Sequence, residues 1–267
     1  MEAKARQPAT SLVKAVQVLM ALEGAPEGRG VSELARALDL PKSAVHRLLV
    51  TFQADGFVQK LPQDNRYALG PTLVRLGLRA AEMFTPQRVA RPYLEALAAA
   101  VGETVFLGML AQVHALVIDK VEPEHGLRVS PLLGAQLPLR QTALGKMLLA
   151  FCPLAQQEQL LDTLLAAEPD PVRARVRSSL QQELGAIARQ GFAVSCEEWE
   201  PDICCLAVPL RNSRGLVVAA LALALPRHRM PRPQRHDPFA TGEPAQQYPT
   251  LIPPLLATAA RITSGLP

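Results

Sequence analysis

The sequence predicts an α+β fold in two parts: a small helical head closed by a hairpin, then a curved antiparallel sheet carrying helices. Three observations predict it. Residues 11–52 carry apolar side chains at helical spacing in three short runs. Residues 56–70 switch to an alternating pattern around an Asp-Asn turn. From Thr104 onward, β-branched, alternating segments mix with further helical runs.

In the head, SLVKAVQVLMAL (Ser11 to Leu22) is predicted to be a helix with Leu12, Val16, Leu19 and Leu22 on one side. In VSELARALDLPKSAVHRLLVTF (Val31 to Phe52), Ser32 is read as an N-cap, and Leu34, Ala35 and Leu38 form one buried stripe. Asp39-Leu40-Pro41 interrupts the helix, because proline disfavours a helical residue before it yet suits a first turn. The next helix buries Val45, Leu48, Leu49 and Phe52, and presents Lys42, Ser43, His46 and Arg47 near its start. Hydrogen-bond donors at the start of a second helix are what reading of a major groove requires. GFVQKLPQDNRYALG (Gly56 to Gly70) places Phe57, Val58 and Leu61 before a turn at Asp64-Asn65 and resumes with Tyr67 and Leu69, a two-stranded hairpin. Three helices followed by a hairpin make a winged helix-turn-helix over residues 1–70, with Lys60 and Arg66 set to lie along phosphate. A lone helical hairpin with a solvated basic face is the plain alternative. The flanking helix and hairpin favour double-stranded DNA as the partner.

Residues 1–10 read as a tail. Pro71 to Met83 is a helix opening on a proline, and residues 71–86 form the linker; its Leu73, Leu76, Leu78 and Met83 exceed what one small domain needs, which predicts a homodimer. Thr85-Pro86 breaks this helix, and another runs from Arg88 to Ala100, ending near Gly102. TVFLGMLAQVHALVIDKV is a hairpin turning near Ala111-Gln112. Leu137 to Phe151 is a loop entering a helix, and Gln156 to Leu165 and Pro171 to Gln190 are further helices. GFAVSCEEW, ICCLAVPLRN and GLVVAALALAL are strands, and Leu251 to Ser264 is a closing helix. Pro226 to Gln247, dense in proline and arginine, reads as a solvated or disordered loop rather than a second nucleic-acid contact.

Composition excludes more than it selects. Nearly half of the 267 residues are apolar, so a large core is available, yet no apolar run approaches membrane-spanning length and no signal-type start is present. A cytoplasmic protein with no membrane contact is expected. The net charge of +4 decides little. Cys152, Cys196, Cys204 and Cys205 lack zinc-ligand spacing, and Cys204-Cys205 read as small buried strand residues; neither a metal, a disulfide nor a cofactor is expected. Glu197-Glu198, as strand neighbours, point to opposite faces, and His114, His125 and His228 accompany no patterned nucleophile. Cys205 lacks the electropositive setting of a reactive thiolate, and no phosphate loop or nucleophile elbow occurs. An enzyme acting on a small acid and a ligand-free DNA-binding scaffold are the alternatives to a regulator.

The segments SLVKAVQVLMAL, VSELARALDLPKSAVHRLLVTF with GFV behind it, RYALGP, LPLRQTALGKMLLAF, QGFAVSCEEWEPDICCLAVPL and NSRGLVVAALAL together resemble IclR-type bacterial transcriptional regulators over nearly the whole chain. The resemblance implies a dimerising linker and a GAF-like effector domain over residues 87–267. It also implies operator binding as dimers or dimer pairs, and a small organic acid as effector. Carried over by position, the effector pocket falls near Val129, Leu137, Ala143, Leu144, Ser195, Ile203, Cys205, Ala222 and Ala224. The family commonly has aspartate where Ser195 stands, serine at the positions of Ala222 and Ala224, and histidine at that of Arg140. These departures leave an apolar lining, in which a two- or three-carbon oxo-acid would lack partners. Thr142 is placed to cap the helix beginning Ala143-Leu144-Gly145, whose free N–H groups suit one carboxylate, with Arg140 just outside. The expected effector is an apolar or aromatic acid.

Overall fold

Apolar spacing folds the head around a single small core. The computed structural model describes residues 10–62, 64–83, 85–124, 128–231 and 248–266. The chain divides by internal contacts into residues 1–83 and 84–267. The first unit contains α1 (Thr10–Glu23), α2 (Val31–Ala37), α3 (Lys42–Ala54), the hairpin β1 (Val58–Lys60) and β2 (Tyr67–Leu69), and α4 (Pro71–Met83). Val18, Leu22, Leu34, Ala35, Val45, Leu49, Val58 and Tyr67 form its core. The expected tail, residues 1–10, lies outside the described residues except for Thr10.

Two local readings are corrected here. The N-cap of α2 is Gly30, not Ser32, because Glu33 reaches back and accepts the Gly30 N–H at 3.1 Å. On α1, Val18 and Leu22 face the core, whereas Leu12 and Val16 are 64% and 50% exposed and continue to an exposed Met20. The helix therefore carries two apolar faces, and only one of them is used within the unit. The turn between α2 and α3 places Asp39 at φ 51°, and the hairpin registers Val58 with Leu69 and Lys60 with Tyr67. Arg29 adds a bridge to Tyr67, with N–H donations of 2.9 Å in both directions.

The second unit begins with α5 (Thr85–Val101), so Thr85-Pro86 opens a helix rather than only ending one, as proline in a first turn allows. Then follow β3 (Thr104–Ala111), β4 (His114–Val121), β5 (Gln136–Pro138), α6 (Ala143–Phe151), α7 (Leu154–Leu164) and α8 (Asp170–Gln190). The chain continues with β6 (Ala193–Cys196), β7 (Ile203–Arg211), β8 (Val217–Pro226) and α9 (Ile252–Ser264). The six strands form one antiparallel sheet in the order β5-β4-β3-β8-β7-β6. Of the segment Pro226 to Gln247, residues 232–247 lie outside the described residues.

Both faces of the sheet are covered, which explains the unbroken apolar run in β8. Ala219, Leu221, Leu223 and Leu225 pack with α5 and α9, whereas Ala220, Ala222 and Ala224 face the core built by α6 and α8. Small residues let the start of α6 approach the sheet closely. A Cβ at Gly145 would stand 2.5 Å from Leu139 Cα, and one at Gly108 would stand 2.4 Å from a Leu144 methyl.

Two further expectations are overturned. Cys196 and Cys204 are joined as a disulfide, because the β6–β7 register sets them directly opposite, with Cα atoms 4.1 Å apart. The strand β6 ends at Cys196, so Glu197 and Glu198 lie in the following bend and not in a strand.

Candidate nucleic-acid interface and ligand cavity

The first turns of α3 carry exposed Lys42, Ser43, His46 and Arg47, because Val45 and Leu49 on the opposite face are fully buried. Among the described residues none of Lys42, His46, Arg47 and the exposed Lys60 of β1 forms a salt bridge within the chain. Arg66 differs. Its guanidinium meets the Glu33 carboxylate at 3.0 Å and donates to the Gly28 carbonyl at 3.4 Å, so its charge is matched inside the unit. Glu33 is held below the usual carboxylate range, first by the Gly30 N–H and then by Arg66. That pair ties α2 to the hairpin.

A cavity of about 510 Å³ opens where the start of α6 meets β6, β7 and β8. Of the residues expected there, Val129, Leu137, Thr142, Leu144, Ser195, Ile203, Cys205 and Ala224 line it. Ala143 and Ala222 do not, since both are fully buried beneath the lining. Arg140 does not either. Its guanidinium turns away to Glu168 at 3.1 Å, where it borders a separate groove beside α8.

The helix start is organised as a cap. Thr142 Oγ1 accepts the Gly145 N–H at 3.0 Å and donates to the Pro138 carbonyl at 2.7 Å. Ser195 Oγ accepts the Ala143 N–H at 2.9 Å. Between them, no hydrogen bond among the described residues engages the Leu144 N–H, and Leu144 faces the cavity. One backbone donor of this helix N-terminus is thus left unengaged at a residue that lines the cavity.

Sequence reasoning missed much of the remaining wall. Phe106 comes from β3, Ser130 and Leu132 from the segment before β5, and Glu198, Trp199 and Glu200 from the bend after β6. Glu198 meets Lys146 at 2.5 Å, and Lys146, only 2% exposed, also holds Glu183 at 2.6 Å. Burial raises the Glu198 carboxyl above its usual range, against the pull of Lys146. A lysine inside an otherwise apolar helix was the one available sign of this cluster. Burial also pushes the Cys205 thiol up to about 12, which leaves it protonated and unsuited to nucleophilic work. Among the described residues no group of histidine, cysteine and carboxylate side chains is arranged to hold a metal ion.

Residues 11–62 match the IclR helix-turn-helix domain, and residues 84–241 match the bacterial transcriptional regulator IclR C-terminal domain. The chain belongs to the IclR family. It is a DNA-binding transcriptional regulator, and its family consists of regulators rather than enzymes. Curated relatives of this IclR-family chain include the glycerol operon regulatory protein of Streptomyces coelicolor. That protein is 32% identical over 219 residues, covering 80% of this chain and 83% of its own. The transcriptional regulator XynR of Escherichia coli is 29% identical over 214 residues, covering 80% and 85%. The same fold occurs in an IclR-family regulator of Brucella abortus, with a TM-score of 0.76 at 24% identity over 100% of this chain and 96% of that one. It also occurs in an IclR homologue of Microbacterium hydrocarbonoxydans complexed with 4-hydroxybenzoate, with a TM-score of 0.75 at 23% identity over 96% and 99%. Among the described residues of this regulator, no helix is long and apolar enough to cross a membrane.

Proposed function

We propose that this regulator binds its operator through α3, and that an apolar or aromatic monocarboxylate in the α6 cavity modulates that binding. The observation that carries the effector reading is a capped helix start with an unengaged Leu144 N–H, bordering a largely apolar cavity. A carboxylate there meets a donor and the positive end of the helix. Phe106, Leu132 and Trp199 then receive the apolar body. Glu198 of the wall is paired to Lys146, which it shares with Glu183. The 4-hydroxybenzoate held by the Microbacterium homologue is of the same chemical class.

In this reading residues 1–70 are the DNA-binding domain, 71–86 a dimerising linker and 87–267 the effector domain, and the protein works beside the chromosome in the cytoplasm. Arg47 and Ser43 contact base edges, Lys42 and Lys60 contact phosphate, and His46 lies at the edge of that surface. Calorimetry of the full chain against benzoate, 4-hydroxybenzoate, glyoxylate and pyruvate tests the effector class. Benzoate-type acids are expected to bind more tightly. Ala224→Ser, the one of the two β8 alanine changes that faces the cavity, is expected to shift preference toward smaller hydroxylated acids. Tight glyoxylate binding with no response to benzoate would sink the proposal.

A further inference from the structure

The Cys196–Cys204 bridge stands at a mechanically sensitive place. Strand β6 is the edge of the sheet, and Cys196 is its last residue. The bend that follows supplies Glu198, Trp199 and Glu200 to the cavity wall. This bend begins and ends on left-handed residues, Glu197 at φ 57° and Asp202 at φ 62°, neither of them glycine. That conformation is disfavoured for side-chain-bearing residues and persists only when the surroundings enforce it. Besides the bridge, the bend is held by a Glu197 N–H donation to the Ile203 carbonyl at 2.8 Å, a longer Asp202 N–H donation to Glu197 at 3.4 Å, an Arg227 N–H donation to the Asp202 carbonyl at 2.7 Å, and ion pairs of Glu197 with Arg227 and Glu198 with Lys146. The sulfurs lie on the face of the sheet opposite the cavity, so the bridge restrains the bend without occupying the site.

We propose that Cys196 and Cys204 form a reversible, redox-controlled bridge that fixes the 197–202 bend and with it the wall of the effector cavity. Where DNA is handled, thiols are kept reduced, and a disulfide there is a transient, sensing state. The chemistry closes with peroxide as oxidant. The half-buried Cys196 sulfur attacks a peroxide oxygen, the O–O bond breaks, and a sulfenic acid and water are formed. The Cys204 thiol then attacks that sulfur, the S–S bond forms, and a second water leaves. A dithiol reductant reverses the step by exchange, returning two electrons and two protons to the cysteines while it becomes a disulfide itself. The effect on Trp199 does not depend on the ligand; the effect on effector affinity rests on the cavity reading above.

The test uses the full chain treated with peroxide or with dithiothreitol, and Trp199 is the single tryptophan, so its fluorescence reports the bend alone. Peptide mapping of the oxidised protein is expected to join Cys196 to Cys204. Acrylamide is expected to quench Trp199 about twofold more effectively in the reduced protein, because the bend opens locally. Cys196→Ser, a change at a half-buried edge position, is expected to show the reduced value under both treatments. Benzoate is expected to bind the oxidised form about fivefold more tightly, because its site is pre-organised. No Cys196–Cys204 peptide after peroxide, equal quenching in the two forms, a Cys196→Ser protein that still responds, or equal benzoate affinity in the two forms each overturns the proposal. Failure of benzoate to bind either form, with the Trp199 response intact, overturns the effector reading and leaves the redox bridge supported.

Discussion

Arg47 and Lys60 are both exposed cations of the head, and the proposed reading gives them different work. Arg47 stands on the first turns of α3, where a guanidinium can pair with a base edge, whereas Lys60 lies on the hairpin. Arg47→Ala is expected to cost about 1–3 kcal/mol of operator affinity and to relax base discrimination, while Lys60→Ala weakens all sequences alike and reduces the salt slope by about one. Arg66→Ala is expected to leave that slope unchanged, since Glu33 already matches the charge. Salt-dependent binding to operator and scrambled duplexes checks all three. In the second unit Glu122 is lowered from 4.5 to about 2, first by the Lys120 ammonium, then by the Ser130 hydroxyl. Because its folded value lies below its unfolded one, the carboxylate stabilises the unit at neutral pH. That contribution is lost as pH falls from about 4.5 toward about 2. Melting temperature followed through this range is expected to decline more steeply in wild type than in Glu122→Gln.

At the scale of elements, the cap of α6 offers the clearest test. Thr142→Ala is expected to destabilise the second unit by about 1 kcal/mol, and Thr142→Ser to restore most of it, as thermal denaturation would report. This cap was legible because a threonine three residues before a glycine signals its own geometry. Most helices and the two main hairpins were legible for the same reason, since their periodicity is local. What escaped the sequence depends on partners far away along the chain. The three-residue β5 has no pattern of its own and exists because β4 offers an edge at His114, Ala115 and Leu116. The disulfide follows from a register that no spacing rule states, and the Lys146–Glu198 contact joins residues 52 positions apart. Ala222 was assigned to the cavity with Ala224 because both face the same side of β8, but depth along the strand separates them. Ser32 failed as a cap for a different reason: the reciprocal Glu33 contact selects Gly30.

For the whole molecule, assembly is the first consequence of what remains uncovered. Leu12, Val16 and Met20 on α1, and Val74, Leu76 and Leu78 on α4, are apolar side chains left exposed among the described residues. Burial between two copies would remove this surface from water, and two heads on related half-sites would supply contacts that one cannot. Sedimentation of the full chain is expected to give a dimer at micromolar concentration, and Leu78→Glu a monomer with lost operator affinity. A wild-type monomer that still footprints a palindrome tightly would refute this. The alternating sizes along β8 carry a second consequence, one that concerns history more than stability. Leu221, Leu223 and Leu225 fill one core and Ala220, Ala222 and Ala224 the other, and of the alanines only Ala224 also lines the cavity. Truncating Leu223 is expected to cost about 2–5 kcal/mol, because it empties a filled interior. Altering Ala224, which lies at the boundary of the second core and the cavity, also changes the shape of the open space. A lineage could therefore exchange one chemical signal for another by editing the single position of β8 that meets the cavity, while its neighbours on both sides stay bound to the two cores.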